Sequence, residues 1–133
     1  MILLDTHVWI WWISNPEKLA PNAAEAINQA REKSSVIVSS ISTWELALLV
    51  DKGRLELSIG VRDWVRKIEG LPFVRFVAVD NTIFLRSVSL PGVFHADPAD
   101  RIITATALTM GIPLITKDEK ILCYPHVHTI WDD

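Results

Sequence analysis

The sequence predicts an α/β fold, a three-layer sandwich with a central, mainly parallel sheet. Short apolar runs bounded by turn residues alternate with segments of helical periodicity, and this alternation is typical of parallel sheets. The run at residues 36–38 contains only β-branched side chains, as expected of a strand that is covered on both faces. No linker, repeat or low-complexity segment interrupts the 133 residues, so we expect a single domain over residues 1–133.

The first part of the chain predicts one strand and two helices. The strand occupies residues 2–4 and ends at Asp5. The apolar run at residues 8–13 is ambiguous by periodicity alone, and we interpret it as a short helix because it directly follows a strand. A second helix begins at Pro21 and has a narrow apolar face. That face consists of Ala23, Ala26, Ile27 and Ala30.

The middle of the chain predicts two more strands with two helices between them. After the strand at residues 36–38, Ser42 and Glu45 fit the capping-box pattern of a helix N-terminus. This helix runs to Lys52 and ends at Gly53. A further helix precedes the strand at residues 73–79, and its apolar face consists of Val61, Trp64, Val65 and Ile68.

The last part of the chain predicts three helices and two strands. Asp80 caps the first of these helices, and a turn follows at residues 91–92. A long helix starts at Pro98 and ends at Gly111. The remaining elements are a strand at residues 113–115, a short helix at 119–122 and an edge strand at 127–131.

The start of the long helix carries two acidic residues. Asp97 suits the N-cap, and Asp100 lies in the first turn, where the helix dipole favours an anion. Capping therefore explains both residues without any function. Two carboxylates on one helical turn nevertheless repel each other, and either Arg101 or a bound cation could relieve that repulsion.

Composition limits the classes of function. The net charge of −3 argues against a general basic surface for nucleic acid, although a cluster of catalytic acids would itself lower the net charge of a nuclease. Half of the residues are hydrophobic and six are Trp. Two explanations of this composition remain open. The apolar residues form a surface for a partner or a second subunit, or the core is rich in Trp.

The first residues, the single cysteine and the longest apolar run together indicate the cell compartment. Cys123 is the only cysteine, so we expect neither a disulfide framework nor a zinc site based on Cys. The first residues reach Asp5 without a basic segment, unlike a signal peptide. The longest apolar run, at residues 8–13, is shorter than the roughly 20 residues of a membrane span. We therefore expect a soluble, cytoplasmic protein without a membrane partner.

Four acidic residues are expected at one edge of the sheet. Asp5 and Asp118 follow strands, Glu45 begins the helix after a strand, and Asp100 begins the helix that leads to a strand. The carboxyl ends of parallel strands share one edge, where ligands bind. Each acid also has a local explanation as a cap or a capping-box residue. Four carboxylates together raise one another's pKa values unless a cation is present.

Oxygen ligands of this kind suit Mg²⁺ or Mn²⁺. Two such ions about 3.5–4 Å apart can hold a phosphodiester and activate water for in-line attack. This chemistry requires neither a protein nucleophile nor a catalytic His.

At these residues the whole chain resembles the PIN-domain ribonucleases, and most closely the VapC-type toxins of prokaryotic toxin–antitoxin pairs. Each motif is weak alone, but their order and spacing make the resemblance strong. The motifs are LLDTH at residues 3–7, STWELA at 42–47, HADPADRII at 95–103 and LITKD at 114–118.

The resemblance implies an endoribonuclease that depends on Mg²⁺ or Mn²⁺ and is inhibited by a cognate antitoxin. It implies that the catalytic and metal-binding residues are Asp5, Glu45, Asp100 and Asp118. Asp97, Thr116 and His7 are expected near the metal rather than as its ligands. His7 stands where many members have Asn, and its alternative role is a His that is satisfied within the first helical turn.

Family members are typically dimers, and their antitoxin covers an apolar groove near the acidic site. We therefore hypothesise a homodimer in which some of Trp9, Trp11 and Trp12 contact the antitoxin. Arg101 and Lys117 are candidates for contacts with RNA phosphates, although a solvated basic face would also explain them.

Two other functions remain open alongside the toxin hypothesis. One is an RNA-processing nuclease with a PIN-like fold outside a toxin–antitoxin pair, and the other is a PIN-like binding module without catalysis. The presence of all four acids argues against the binding module. A phosphatase of the haloacid-dehalogenase type is disfavoured because it needs a second Asp where His7 stands.

Overall fold

The computed structural model describes residues 1–132 and contains a five-stranded sheet in which every neighbouring pair of strands is parallel. The strands lie in the order β3-β2-β1-β4-β5, so β1 is central. This arrangement confirms the predicted α/β fold. The strands are β1 (Ile2–Leu4), β2 (Val36–Ser39), β3 (Val74–Val77), β4 (Leu114–Ile115) and β5 (Thr129–Ile130).

Helices connect each strand to the next, as the alternating pattern predicts. A single 3₁₀ turn at Pro16–Lys18 separates the first two helices. The helices are α1 (Thr6–Ser14), α2 (Pro21–Glu32), α3 (Ser40–Asp51), α4 (Val61–Glu69), α5 (Asn81–Val88), α6 (Pro98–Met110) and α7 (Glu119–Leu122).

Two hydrophobic cores lie on opposite faces of the sheet. Successive side chains of a strand point to opposite faces, so Ile2 and Leu4 belong to one core while Leu3 belongs to the other. The first core also contains buried residues of α1, α2 and α4, and the second contains Ile103 and Ala107 of α6. The sheet is therefore covered on both faces, and its strands can be almost entirely apolar.

The order of the strands creates a crevice between β1 and β4. The chain adds β2 and β3 on one side of β1 and then returns to add β4 and β5 on the other side. The two strands pair in register, with Leu4 opposite Ile115. Asp5 and Thr116 therefore leave the sheet side by side, at the point where α/β sheets bind ligands.

Three details of the predicted elements are wrong. Helix α3 begins at Ser40 and is capped by Ser39, whose hydroxyl accepts the Ile41 N–H, so Ser42 and Glu45 do not form a capping box. β3 is shorter than residues 73–79 because its partner β2 gives way to α3 after Ser39. The last strand, β5, is an edge strand as predicted, but only Thr129–Ile130 pair with β4.

No helix within residues 1–132 has both the length and the apolar character needed to cross a membrane.

The six Trp residues divide between the core and the surface. The side chain of Trp9 is completely buried, and its ring packs against the rings of Trp64 and Phe76 at centroid distances of 5.0 and 5.7 Å. Trp44 is 54% exposed. The Trp residues are therefore not confined to the core, and the partner surface stays a prediction.

The buried position of Trp9 predicts a large effect on stability. Trp9→Ala should lower the free energy of unfolding by about 3–5 kcal/mol, because it removes a buried ring and leaves a cavity. Trp44→Ala, at an exposed position, should change it by less than about 0.5 kcal/mol. Urea denaturation followed by circular dichroism measures both values. Equal losses in the two variants would contradict this assignment of core and surface.

Candidate metal centre

The four predicted acids line one cavity of about 410 Å³ at the carboxyl edge of the sheet. They come from different elements, since Asp5 follows β1, Glu45 lies in α3, Asp100 lies in α6 and Asp118 follows β4. Asp97 lies at the mouth of the same cavity and is exposed. The structure therefore brings together residues that are up to 113 positions apart in the sequence.

Asp5 is the most buried of these acids, with 7% of its surface exposed. Its Oδ1 accepts the backbone N–H of Thr6 at 2.8 Å, and its Oδ2 accepts the hydroxyl of Thr116 at 2.7 Å. The Thr116 hydroxyl in turn accepts the N–H of Asp118 at 3.0 Å. One buried Thr therefore links the acid after β1 to the acid after β4.

Glu45 is held by a chain of hydroxyl groups. The Thr6 hydroxyl donates to Glu45 Oε1 at 2.5 Å and lies 2.8 Å from the Ser42 hydroxyl. Because Thr6 has a single hydroxyl proton, Ser42 is the donor in the second bond. These contacts explain why Ser42 and Glu45 face α1 rather than the N-terminus of their own helix.

Asp100 is oriented from two sides. Asp97 caps α6 by accepting the N–H of Asp100 at 2.9 Å, and the Nε2 atom of His95 lies 2.7 Å from Asp100 Oδ2. His95, and not Arg101, is thus the side chain that contacts Asp100. The guanidinium of Arg101 donates instead to backbone carbonyls of Ser87, Phe94 and His95 at 2.8–3.1 Å.

The geometry is suitable for a divalent cation. His95, Asp100 and Asp118 each offer one ligand atom, and these three atoms lie within 4.8 Å of one another. Asp118 also caps α7, but it uses only Oδ1 for the N–H groups of Lys120 and Ile121. The carboxylate oxygens of Asp100 and Asp118 are hard donors of the kind that suit Mg²⁺ or Mn²⁺, whereas the imidazole of His95 is hydrogen-bonded to Asp100. The residues therefore fit a divalent metal.

The electrostatics of the cavity also favour a cation. Burial raises the pKa of Asp5 above its usual range, although the hydrogen bonds from Thr116 and Thr6 oppose the shift. Burial raises the pKa of Glu45 from 4.5 to about 7, and the charges of Asp5, Asp100 and Asp97 add to it. Burial likewise raises the pKa of Asp100 from 3.8 to about 6, against the hydrogen bond from His95. The cavity thus disfavours the negative charges of its own carboxylates.

The other residues singled out from the sequence lie in different surroundings. His7 lines the cavity and its ring is 6.0 Å from that of Trp11. Lys117 also lines it, with its ammonium 5.5 Å from the centre of the Trp11 ring. Trp12 is half-buried against Phe73. Trp9 is in the core, so burial removes it from the surface that a partner could contact.

Sequence reasoning assigned no role to His95 or Thr6, and gave Ser42 only a capping role. Each of these residues lies inside one of the motifs that carry the family resemblance, so the sequence placed them near the acids. The sequence did not predict their contacts with Asp100 and Glu45. Thr6 and Glu45 are 39 positions apart, and the loop before α6 has no periodic pattern.

The chain matches a family model and a curated relative along almost its whole length. The model of the PIN domain family matches residues 2–125. Ribonuclease VapC22 of Mycobacterium tuberculosis is 38% identical over 132 residues, which cover 98% of each chain.

Solved structures share the fold over almost the whole chain. FitAcB from Neisseria gonorrhoeae superimposes with a TM-score of 0.62 at 27% identity, and covers 98% of this chain and 96% of that one. VapBC2 from Rickettsia felis, bound to a DNA fragment from its promoter, gives 0.71 at 17% identity, with 99% and 100% covered. A toxin–antitoxin complex from Klebsiella pneumoniae gives 0.66 at 22% identity and covers both chains completely.

The raised pKa values predict how the stability of the metal-free protein depends on pH. An acid whose pKa is higher in the folded state stabilises the fold below its unfolded pKa and loses that effect as pH rises through the folded pKa. Glu45 and Asp100 should therefore make the metal-free protein less stable as pH rises from about 4 to about 7. Each contributes on the order of 1 kcal/mol after allowance for solvent screening.

Thermal melting in EDTA across this range measures the effect. Mn²⁺ or Mg²⁺ should raise the melting temperature more at about pH 7.5 than at about pH 5, because protons compete with the metal for the ligands. The Glu45→Gln, Asp100→Asn double variant is the control and should have a flatter pH dependence. A metal-free protein that becomes more stable over this range would contradict the prediction.

The contacts of Arg101 predict a structural role. Arg101→Met should lower the free energy of unfolding by about 2 kcal/mol, because several backbone carbonyls lose a charged donor. Lys117→Met, at an exposed position, should change it by less than about 0.5 kcal/mol. If Arg101→Met weakened RNA binding without any loss of stability in urea, the guanidinium would be an RNA contact instead.

Proposed function

This chain belongs to the PIN-domain family, and on that premise we propose that it is an endoribonuclease that uses a divalent metal to hydrolyse phosphodiester bonds in RNA. The observation that carries the proposal is the convergence of Asp5, Glu45, Asp100 and Asp118 on one cavity at the carboxyl edge of a parallel sheet. The similarity to a ribonuclease along almost the whole chain supports the same conclusion. We propose that a single domain over residues 1–133 carries this activity.

We assign the four acids as the catalytic and metal-binding residues, and Mg²⁺ or Mn²⁺ as the metal. When bound, the cation would supply charge stabilisation at the scissile phosphate and a more acidic water. The proximity of Asp100 and Asp118 supports one ion, and Asp5 and Glu45 line the same cavity close enough for their charges to act on Asp100 or on each other.

The surrounding residues keep these acids in place. Thr6 and Thr116 fix both oxygens of Asp5, so this carboxylate cannot rotate freely. His95 holds Asp100, and Asp97 fixes the first turn of α6 on which Asp100 stands. Preorganised ligands of this kind need little rearrangement when a cation and a substrate enter.

We propose further that the chain is the toxin of a toxin–antitoxin pair. A toxin–antitoxin complex from Klebsiella pneumoniae shares its fold, and FitAcB shares the fold at 27% identity. Trp11 supports an antitoxin contact because it lines the acidic cavity, and Trp12 lies on the same helix. The exposed Leu85 and Val88 of α5 support a homodimer. RNA as the substrate supports a cytoplasmic site of action.

The proposed function predicts that each acid is required for cleavage. Purified protein, free of any antitoxin, should cut labelled single-stranded RNA with Mg²⁺ or Mn²⁺ and should not cut it in EDTA. Asp5→Asn, Glu45→Gln, Asp100→Asn and Asp118→Asn should each lower the rate by about a hundredfold or more.

The control is Asp63→Asn, which replaces an exposed acid on α4 outside the cavity and should leave the rate unchanged. All variants must melt cooperatively, so that loss of activity is not loss of fold. A folded wild-type protein that cuts no RNA, together with no metal binding by calorimetry, would leave the PIN-like binding module as the better explanation.

A further inference from the structure

A second cavity adjoins the acidic one on the side of α3. Its volume is about 280 Å³, and it shares Glu45 and Asp97 with the acidic cavity. The other side chains that matter for its chemistry are Trp44, Lys52 and Arg54. A polymer that passes through the acidic cavity can therefore continue directly into this second cavity.

Trp44 has an unusual position among the six Trp residues. It precedes Glu45 in α3 and leaves 54% of its surface exposed. Every other Trp has its ring against another aromatic ring, whereas within residues 1–132 no aromatic ring or cation is stacked on that of Trp44. An exposed indole beside a reactive site is a surface on which a flat ligand can stack.

Lys52 and Arg54 are held in place by the end of α3. Gly53 adopts a left-handed conformation with φ of +70°, and it donates to the carbonyl of Val50 at 3.1 Å. The N–H of Arg54 donates to the carbonyl of Leu49 at 2.9 Å, which completes a Schellman motif. The backbone on both sides of the glycine is thus fixed beside the cavity.

The side chains of these two residues are available for an anion. Lys52 and Arg54 are exposed, and neither forms a salt bridge with another part of the chain that the structure describes. They lie next to a cavity whose carboxylates would repel a polyanion. Cations at this position complement a phosphate backbone just outside the acidic cavity.

We propose that the second cavity binds a nucleotide of single-stranded RNA adjacent to the scissile phosphate. The base stacks on Trp44, and Lys52 and Arg54 contact the neighbouring phosphates. A paired base would keep its faces within the helix stack, so the site selects unpaired RNA. This inference rests on the proposed ribonuclease function and identifies part of its substrate-binding surface.

Binding is tested in the Asp100→Asn background with Mg²⁺, so that the RNA remains intact. A fluorescein-labelled single-stranded RNA of about ten nucleotides is titrated by anisotropy, because stacking on one aromatic residue is measurable on this scale. Trp44→Ala should weaken binding about tenfold, while Trp44→Phe should retain most of the affinity. The fall in Trp fluorescence on binding should be smaller in both variants than in the Asp100→Asn parent, in which Trp44 is intact.

The cations are tested through the salt dependence of the same titration. Lys52→Gln and Arg54→Gln should each weaken binding a few-fold and reduce the slope of log Kd against log salt by about one. Lys33→Gln is the matched control, since it removes an exposed cation at the end of α2 that lines neither cavity. A duplex of the same sequence should bind in a way that does not depend on Trp44.

Cleavage by proteins with Asp100 intact separates this inference from the proposed function. Trp44→Ala should raise KM with little change in kcat, because the base contact lies beside the reacting phosphate. If the wild type cuts RNA but Trp44→Ala leaves affinity and KM within twofold, the stacking site is wrong. If the wild type cuts no RNA yet binds it through Trp44, the nuclease function fails and the RNA site stands.

Discussion

The hydrogen bond between the Thr116 hydroxyl and the carboxylate of Asp5 joins the two strands on which the site is built. Asp5 follows β1 and Thr116 follows β4. These strands are neighbours because the chain adds β2 and β3 on one side of β1 and β4 on the other side. In a parallel sheet with this strand order, the carboxyl ends of the two strands lie around one crevice. Helices α3 and α6 then bring in Glu45 and Asp100, and the segment after β4 brings in Asp118.

This construction places four carboxylates in one cavity, where their negative charges disfavour one another. The groups that contact Asp5 and Glu45 are hydroxyl and amide donors, which orient a carboxylate without cancelling its charge. His95 can offset the charge of Asp100 only when its ring is protonated. The raised pKa values of Glu45 and Asp100 express this imbalance. A divalent cation would compensate these charges, and this links metal binding to stability.

The surface around the acids contains aromatic and cationic side chains on two sides. On the side of α1, the ring of Trp11 lies near the ammonium groups of Lys18 and Lys117. On the side of α3, Trp44 is free and two cations stand beyond it. A chain with net charge −3 can therefore approach an anionic polymer through local features, because screening limits the reach of distant charges to about 10 Å.

The sequence by itself determined the order of the elements and the edge at which Asp5, Glu45 and Asp118 would meet. Both follow from local patterns, since apolar runs, caps and glycine stops depend on neighbouring residues, and parallel strands must share a carboxyl edge. Their convergence on one cavity agrees with that reasoning.

Only the tertiary structure decided the contacts of individual side chains. Ser42 and Glu45 turn towards Thr6 instead of capping their helix, Arg101 binds carbonyls instead of Asp100, and Trp9 is buried while Trp44 is exposed. In each case the outcome depends on groups that are distant in the chain. A one-dimensional pattern records the residue but not the neighbour against which it packs.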